Sequence, residues 1–386
     1  MPDSQANTIM PDGKMPAFQL YLTRRPVIMA MLFVASIVFF LAVSGLSRMY
    51  HAQQDALGDR WFQRGVTDLK AQRYTPAVAD LHTALLYSRD NYSYQLNLAE
   101  ALLGLKRTSE AYAYLINLWE REPENGVVNL ELARIAVQRG ETEQALRYYH
   151  NAIYATWPGD QEVKRRDARL ELIEYLLRIN AKPQAQAELI ALAANEGEDA
   201  TQQAQVGGLF LQAQDYEHAL AAFRSSLKSD RHNAAAMAGA GLAAFNLGRY
   251  PLAQKYLEEA LAANPNDKQS AAQLKTTESV LQMDPFRRQI SAAERNRIVV
   301  GAFHTAGDRL KSCLTAHPSA DSQNLAAPWD RMEPHIRESG LRRNPDLIES
   351  AMELVFNIER ETNTSCGSPS GIDMALLLIA RLHEGS

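Results

Sequence analysis

The chain has 386 residues, enough for two or three folded units, and a formal net charge of −5. That balance provides no broad basic surface, so no nucleic acid is expected as a partner. Only two cysteines occur, Cys313 and Cys366, both late in the chain.

The first twenty residues, MPDSQANTIMPDGKMPAFQL, are polar and interrupted by proline, and 1–25 reads as a disordered tail. Val27 to Leu46 then runs VIMAMLFVASIVFFLAVSGL, twenty residues without a charge. That is the length a helix needs to cross about 30 Å of hydrocarbon, so 26–47 is read as a transmembrane helix in contact with the lipid bilayer. A cleaved signal peptide is the rival, since Ala42-Val43-Ser44 offers small residues, but the apolar core of a signal peptide typically runs about 7–15 residues. Arg24-Arg25 suits a twin-arginine signal poorly, because Pro26 and a very apolar core follow. Lys14, Arg24 and Arg25 precede the span and Arg48 and Arg60 follow it, which places the N-terminus in the cytoplasm and everything after about Ser47 outside it. The expected location is therefore the inner membrane, single-pass, with the rest of the chain periplasmic in a Gram-negative cell.

Alanine then recurs with a period of 34 residues: Ala77, Ala111 and Ala145, and, after a six-residue slip, Ala185, Ala219 and Ala253. Frames 58–91, 92–125, 126–159, 166–199, 200–233 and 234–267 put further columns in register. Twelve residues before each alanine stands Gly65, Ala99, Ala133, Ile173, Gly207 or Gly241. Four after it come Leu81, Leu115, Tyr149, Leu189, Phe223 and Leu257, and seven after it Ala84, Leu118, Ala152, Leu192, Ser226 and Ala260. Small residues let two helices approach and large ones fill the gap to the next pair, so each frame reads as helix, turn, helix. Gln214-Asp215-Tyr216 and Gly248-Arg249-Tyr250 break any continuous heptad, which argues against a coiled coil. A unit of this length cannot bury its apolar face alone, so copies must stack.

With Trp61 early in a first helix and Pro123 and Pro265 near unit ends, residues 58–267 resemble the tetratricopeptide repeat family, the last unit most closely. Ile173 departs from the small-residue column, the fifth unit ends without proline, and Asp160 to Arg165 lengthen the connection into the fourth unit. The resemblance implies an all-α, right-handed solenoid of about six helical hairpins whose first helices line a concave, peptide-binding groove. At the groove positions the polar residues are Asn97, Glu100, Glu131, Arg134, Gln138, Glu171, Glu174, Gln205, Gln212 and Asn246. A clamp for acidic peptide termini is not expected, because Phe62 and Val66 occupy first-unit positions where that subgroup is polar.

After the repeats, 268–284 reads as a capping helix with Ala271, Ala272, Leu274, Val280 and Leu281 covering the last exposed face. Asp284-Pro285-Phe286 breaks the pattern, and 285–386 reads as a small helical module. Ser291 to Glu294 form a capping box for a helix through roughly Ser312. His317 to Pro328 reads as loop. Asn344-Pro345-Asp346 opens another helix with Leu347, Ile348, Ala351, Leu354, Val355 and Ile358 on one face, and Met374 to Leu382 forms a buried terminal one.

No phosphate-binding glycine loop, nucleophile elbow, His-Glu-x-x-His or paired Cys-x-x-Cys is present, so no cofactor is expected. Outside a reducing cytosol, a Cys313–Cys366 disulfide is the leading reading. Cys313, His317, His335 and Cys366 form a four-ligand zinc set on paper, and Cys366 is a formal nucleophile with no specified activating neighbour. The sequence therefore predicts a membrane-anchored scaffold that binds a protein or peptide partner, an envelope assembly factor or chaperone-like adaptor and not an enzyme. Two alternatives remain: an enzyme with catalysis in 285–386, and a cytosol-facing adaptor.

Overall fold

The computed structural model describes residues 17–194, 197 and 199–384. Most of the tail expected to be disordered lies outside these residues; from Ala17 the backbone is helical. Every regular element among the described residues is a helix, and the chain divides into two compact units, with the division inside the seventh helix.

The first unit, Met1–Ala168, holds α1 (Ala17–Lys70), α2 (Tyr74–Tyr87), α3 (Tyr92–Gly104), α4 (Thr108–Arg121), α5 (Gly126–Arg139) and α6 (Thr142–Tyr154). α1 is one unbroken helix: its first part is the apolar span and its last turns, from about Gly58, are the first helix of the first repeat. The sequence logic of the repeat columns is visible in the packing. Ala77, Ala111 and Ala145 are fully buried, and a Cβ placed on Gly65 would lie 2.7 Å from Leu81 Cγ, the large residue of its own frame. Asn91 and Asn125 cap α3 and α5, their side chains accepting from the backbone N–H of Tyr94 and Val128 at 3.2 Å. Leu98, Leu102, Leu115, Leu118, Leu132 and Ile135 close the space between hairpins.

The turn between the paired helices obeys the same period in its backbone. Gln72, Lys106, Gly140, Asn180, Gln214 and Gly248 all have φ between 58° and 72°, the left-handed region. Only two of the six are glycine, so four side chains tolerate a conformation that costs roughly 1 kcal/mol or more. The six-residue slip is absorbed in two ways. Trp157 folds back onto the start of α5, donating from Nε1 to the Ala152 carbonyl at 2.8 Å and covering Gly126, while Thr156 exchanges backbone bonds with Glu124 and Gly126 at 3.0 Å. The remainder lengthens α7 (Gln161–Arg178) to 18 residues.

The second unit, Arg169–Ser386, continues from α7 with α8 (Lys182–Ala193), α9 (Ala200–Gln212), α10 (Tyr216–Ser229), α11 (Ala234–Asn246), α12 (Tyr250–Ala263) and α13 (Lys268–Met283). Here the register repeats: a Cβ on Gly207 would meet Phe223 at 2.9 Å and one on Gly241 would meet Leu257 at 2.7 Å. First helices pack on first helices, α9 on α11 and α11 on α13, while α10 and α12 sit behind them. The first helices therefore form the more closely packed layer of this unit.

Beyond these lie α14 (Ala292–Ala316), α15 (Ala320–Met332), α16 (Glu338–Arg343), α17 (Asp346–Cys366) and α18 (Gly371–Leu382). Val299, Phe303, Met352, Val355, Leu376 and Ile379 form their core, and Tyr250 of α12 and Val280 of α13 belong to the same cluster. Ser291 caps α14 through Glu294 N–H, but the Glu294 carboxylate turns to Arg287, so only half of the expected capping box forms. The segment expected as loop is largely α15. Ser319 caps it, accepting from Ser322 N–H at 3.0 Å, and Trp329 stacks on Phe303 with ring centroids 5.6 Å apart over Gly307. That buried indole outweighs the helix-breaking composition and Pro328, a tertiary contact overriding local propensity.

Candidate functional site

In the first unit the candidate groove residues come from α3 and α5. Asn97 is half-buried, its Nδ2 donating to the Ser93 carbonyl at 2.9 Å, and Glu100 lies one turn further along the helix. Glu131 and Arg134, also half-buried, form an ion pair on α5, and Gln138 ends the same stripe in solvent. Burial holds the Glu100 carboxyl above the usual carboxylate range, with the neighbouring Glu131 charge adding to it. This patch is therefore polar and mixed in sign, half sunk between fully buried Leu98, Ala99, Leu132 and Ala133. Beside it Phe62 stacks on Tyr94 at 4.8 Å, and the Tyr94 hydroxyl donates to Asp59 at 2.6 Å, so α1 contributes an aromatic floor.

In the second unit Glu174 on α7, Gln205 and Gln212 on α9 and Asn246 on α11 are all exposed, on helices whose buried side includes Ile173, Val206, Leu209 and Phe210. Glu171 is half-buried on α7. The candidate residues thus fall into two sets: Asn97, Glu100, Glu131, Arg134 and Gln138 in one unit, and Glu174, Gln205, Gln212 and Asn246 in the other. Each set is carried by first helices. Such a surface offers amide donors and acceptors with scattered charge, suited to the backbone and side chains of a polypeptide.

Sequence reasoning missed polar residues near Asn246, Thr276 of α13 among them. Gln273 on α13 and Arg381 on α18 line the same cavity as Asn246. Gln273 continues the groove register one frame past the last assigned unit, so extending the period would have found it. Arg381 lies outside the register and left no periodic signal.

Cys313 and Cys366 are joined in a disulfide, with Cα atoms 5.8 Å apart and a separation of 53 positions in sequence. Both sulfurs of the zinc set drawn with His317 and His335 are consumed, as is the formal nucleophile. Next to the bridge, Arg309 donates to Thr362 Oγ1 at 2.8 Å and to the Gly367 carbonyl at 2.9 Å, and pairs with Glu359 at 3.4 Å. Glu359 has no exposed surface, and its carboxyl is pushed up to about 8 by burial first and Asp373 second, with Arg309 pulling it back.

Comparison with known proteins identifies the repeats. Two family models, both described as tetratricopeptide repeat, match residues 102–156 with 210–277 and residues 62–125. No curated protein matches the chain. Among solved structures, the C-terminal part of a repeat protein from Cytophaga hutchinsonii is 12% identical, with 62% of this chain and 92% of that one covered and a TM-score of 0.45. PilF of Pseudomonas aeruginosa is 14% identical, with 57% and 97% covered and a TM-score of 0.40. YrrB, described as a repeat protein with an unusual peptide-binding site, is 16% identical, with 50% and 95% covered and a TM-score of 0.40. The 34-residue register, the paired helices it builds and the two family models show together that this chain contains tetratricopeptide repeats, matched over 62–156 and 210–277.

Proposed function

We propose that the chain is a membrane-anchored scaffold whose repeats lie outside the cytoplasm and hold a protein or peptide partner in the concave groove, serving as an envelope assembly factor or chaperone-like adaptor. The observation that carries the binding role is made in each unit separately, on the first helices α3 and α5 in one and α9 and α11 in the other. Each has a fully buried apolar side and presents amide or charged tips on the other. A solvated helix face has no need to repeat such tips in register over a closed floor.

Anchoring is supported by α1. Its apolar window has a mean hydropathy of 2.5 and no buried residue, with Phe33 68% and Phe39 72% exposed. Water is a poor solvent for so long an apolar surface, and a bilayer satisfies it. The disulfide favours an oxidising compartment for the rest of the chain. A reporter active only outside the cytosol, fused after Ser386, is expected to be active, and an inactive fusion refutes the topology. A photo-crosslinker at Gln205 should trap the partner, and Arg134→Glu with Gln138→Glu should weaken its capture by the full chain. Unchanged capture by the double variant counts against the groove.

A further inference from the structure

α18 packs on α13, and where the two helices meet the end of α11 they line a half-open cavity of about 650 Å³, with Asn246 and Arg381 exposed at it. Met374, Leu378 and Leu382 of α18, spaced one helical turn apart, form an apolar wall, and Leu382 also reaches the Gly248 turn. The opposite wall includes Asn246 of the last repeat with Gln273 and Thr276 of α13, beside the apolar Phe245 and Leu247. Among the described residues Arg381 is the sole charged one lining the cavity, and no carboxylate lines it. The guanidinium has no carboxylate partner among the described residues, since Glu384 pairs with Arg360 at 3.1 Å and Asp284 faces His383 at 3.4 Å. Burial raises the pKa of Tyr250, another lining residue, and the nearby Arg381 charge opposes that rise. Asn246 is oriented by donation from Nδ2 to the Leu242 carbonyl at 2.8 Å, which leaves its Oδ1 to accept.

A cationic fork, an apolar wall and two carboxamides at the blocked end of a peptide groove make a specific combination. We propose that this cavity receives the free C-terminus of the partner polypeptide, with Arg381 taking the terminal carboxylate, Leu378 and Leu382 the last, apolar side chain, and Gln273 and Asn246 the backbone before it. Guanidinium and carboxylate match in planar, two-pronged geometry, and the absence of an acid in the lining removes the competing partner. A peptide is favoured over a free acyl anion because the carboxamides can satisfy backbone groups, for which an acyl chain has no use. The inference rests on the groove reading above but does not share its test.

The full chain in detergent micelles is immobilised and offered a randomised dodecapeptide pool, made once with free C-terminal carboxyls and once as C-terminal amides, and retained peptides are sequenced by mass spectrometry. The expected result is retention of carboxyl peptides ending in Leu, Ile, Val, Met or Phe, with binding at least about tenfold weaker for the matching amides. Arg381→Gln should erase the carboxyl preference and Arg381→Lys should restore part of it. Equal retention of both pools, unaffected by Arg381→Gln but reduced by Arg134→Glu with Gln138→Glu, overturns this inference and leaves the groove standing. Retention of neither pool overturns both. Dodecanoate that binds in an Arg381-dependent manner while no peptide is retained overturns the assignment to a polypeptide terminus.

Discussion

Replacing Cys313 and Cys366 by serine removes a link that closes 53 residues of chain. On the loop-entropy argument, opening a loop of that length costs about 4 kcal/mol of stability, a large fraction of what a domain has in total. The bridge ties the end of α14 to the end of α17, and Arg309 ties the same two helices through Thr362 and Gly367. Arg309 remains when the sulfurs are gone, so the native arrangement should persist while its opening becomes easier. Hydrogen exchange of the full chain, read by mass spectrometry over α14 and α17, reports that opening directly. With 1.4 kcal/mol per factor of ten, amides that exchange through opening of these helices should lose protection by up to about a thousandfold, while α3 and α5 should not change. Reduction of the wild-type chain should reproduce the effect. If the double serine variant exchanges like the wild type, the bridge closes nothing that the rest of the fold has not already closed, and the argument for an oxidising compartment loses its stability basis.

Three further outcomes are expected in urea denaturation. Gly239→Ala places a methyl 2.2 Å from the Phe223 ring and should cost about 1–3 kcal/mol, whereas Gly208→Ala, with nothing within 4 Å, should stabilise by about 0.5 kcal/mol or more. Lys106→Gly and Gln214→Gly, each at a left-handed turn, should raise stability by roughly 0.5 kcal/mol, while Gly140→Ala should lower it by about 1 kcal/mol; equal midpoints would show that the turns carry no strain. Glu359 has a carboxyl pKa raised to about 8, so its contribution is fully present below the ordinary glutamate value of 4.5 and is lost as pH rises through about 8. The midpoint of wild type should therefore fall with pH over that window more steeply than that of Glu359→Gln, and parallel slopes would refute the assignment.

The repeats were legible because stacking imposes one chemical demand at one phase: a methyl at Ala77 and its equivalents, a small residue at Gly65 opposite a large one at Leu81. The turn has the same phase but a demand on backbone conformation alone, which Gln72, Lys106, Asn180 and Gln214 meet at some cost and glycine meets freely, so its column is invisible in residue types. Trp157 and α15 were illegible for another reason. Each is fixed by a distant contact, Trp157 by Gly126 and α15 by the stacking of Trp329 on Phe303, and no local pattern encodes a distant partner. The groove positions could be numbered from the register, but their grouping into two sets, and the cavity where Asn246 meets α18, depend on how the helices pack.

The continuity of α1 has a mechanical consequence. No flexible linker separates the apolar span from the first repeat, and an uninterrupted helix of 54 residues measures about 80 Å. In the anchored arrangement proposed above, the stretch between Leu46 and Gly58 is a stiff stalk, so the bearing of the first repeat around the membrane normal is set by helical phase. Each residue added to that stalk would swing the repeat by about 100° and lift it by about 1.5 Å. The segment between Ser47 and Leu57 therefore acts as the part of the chain that aims the first repeat.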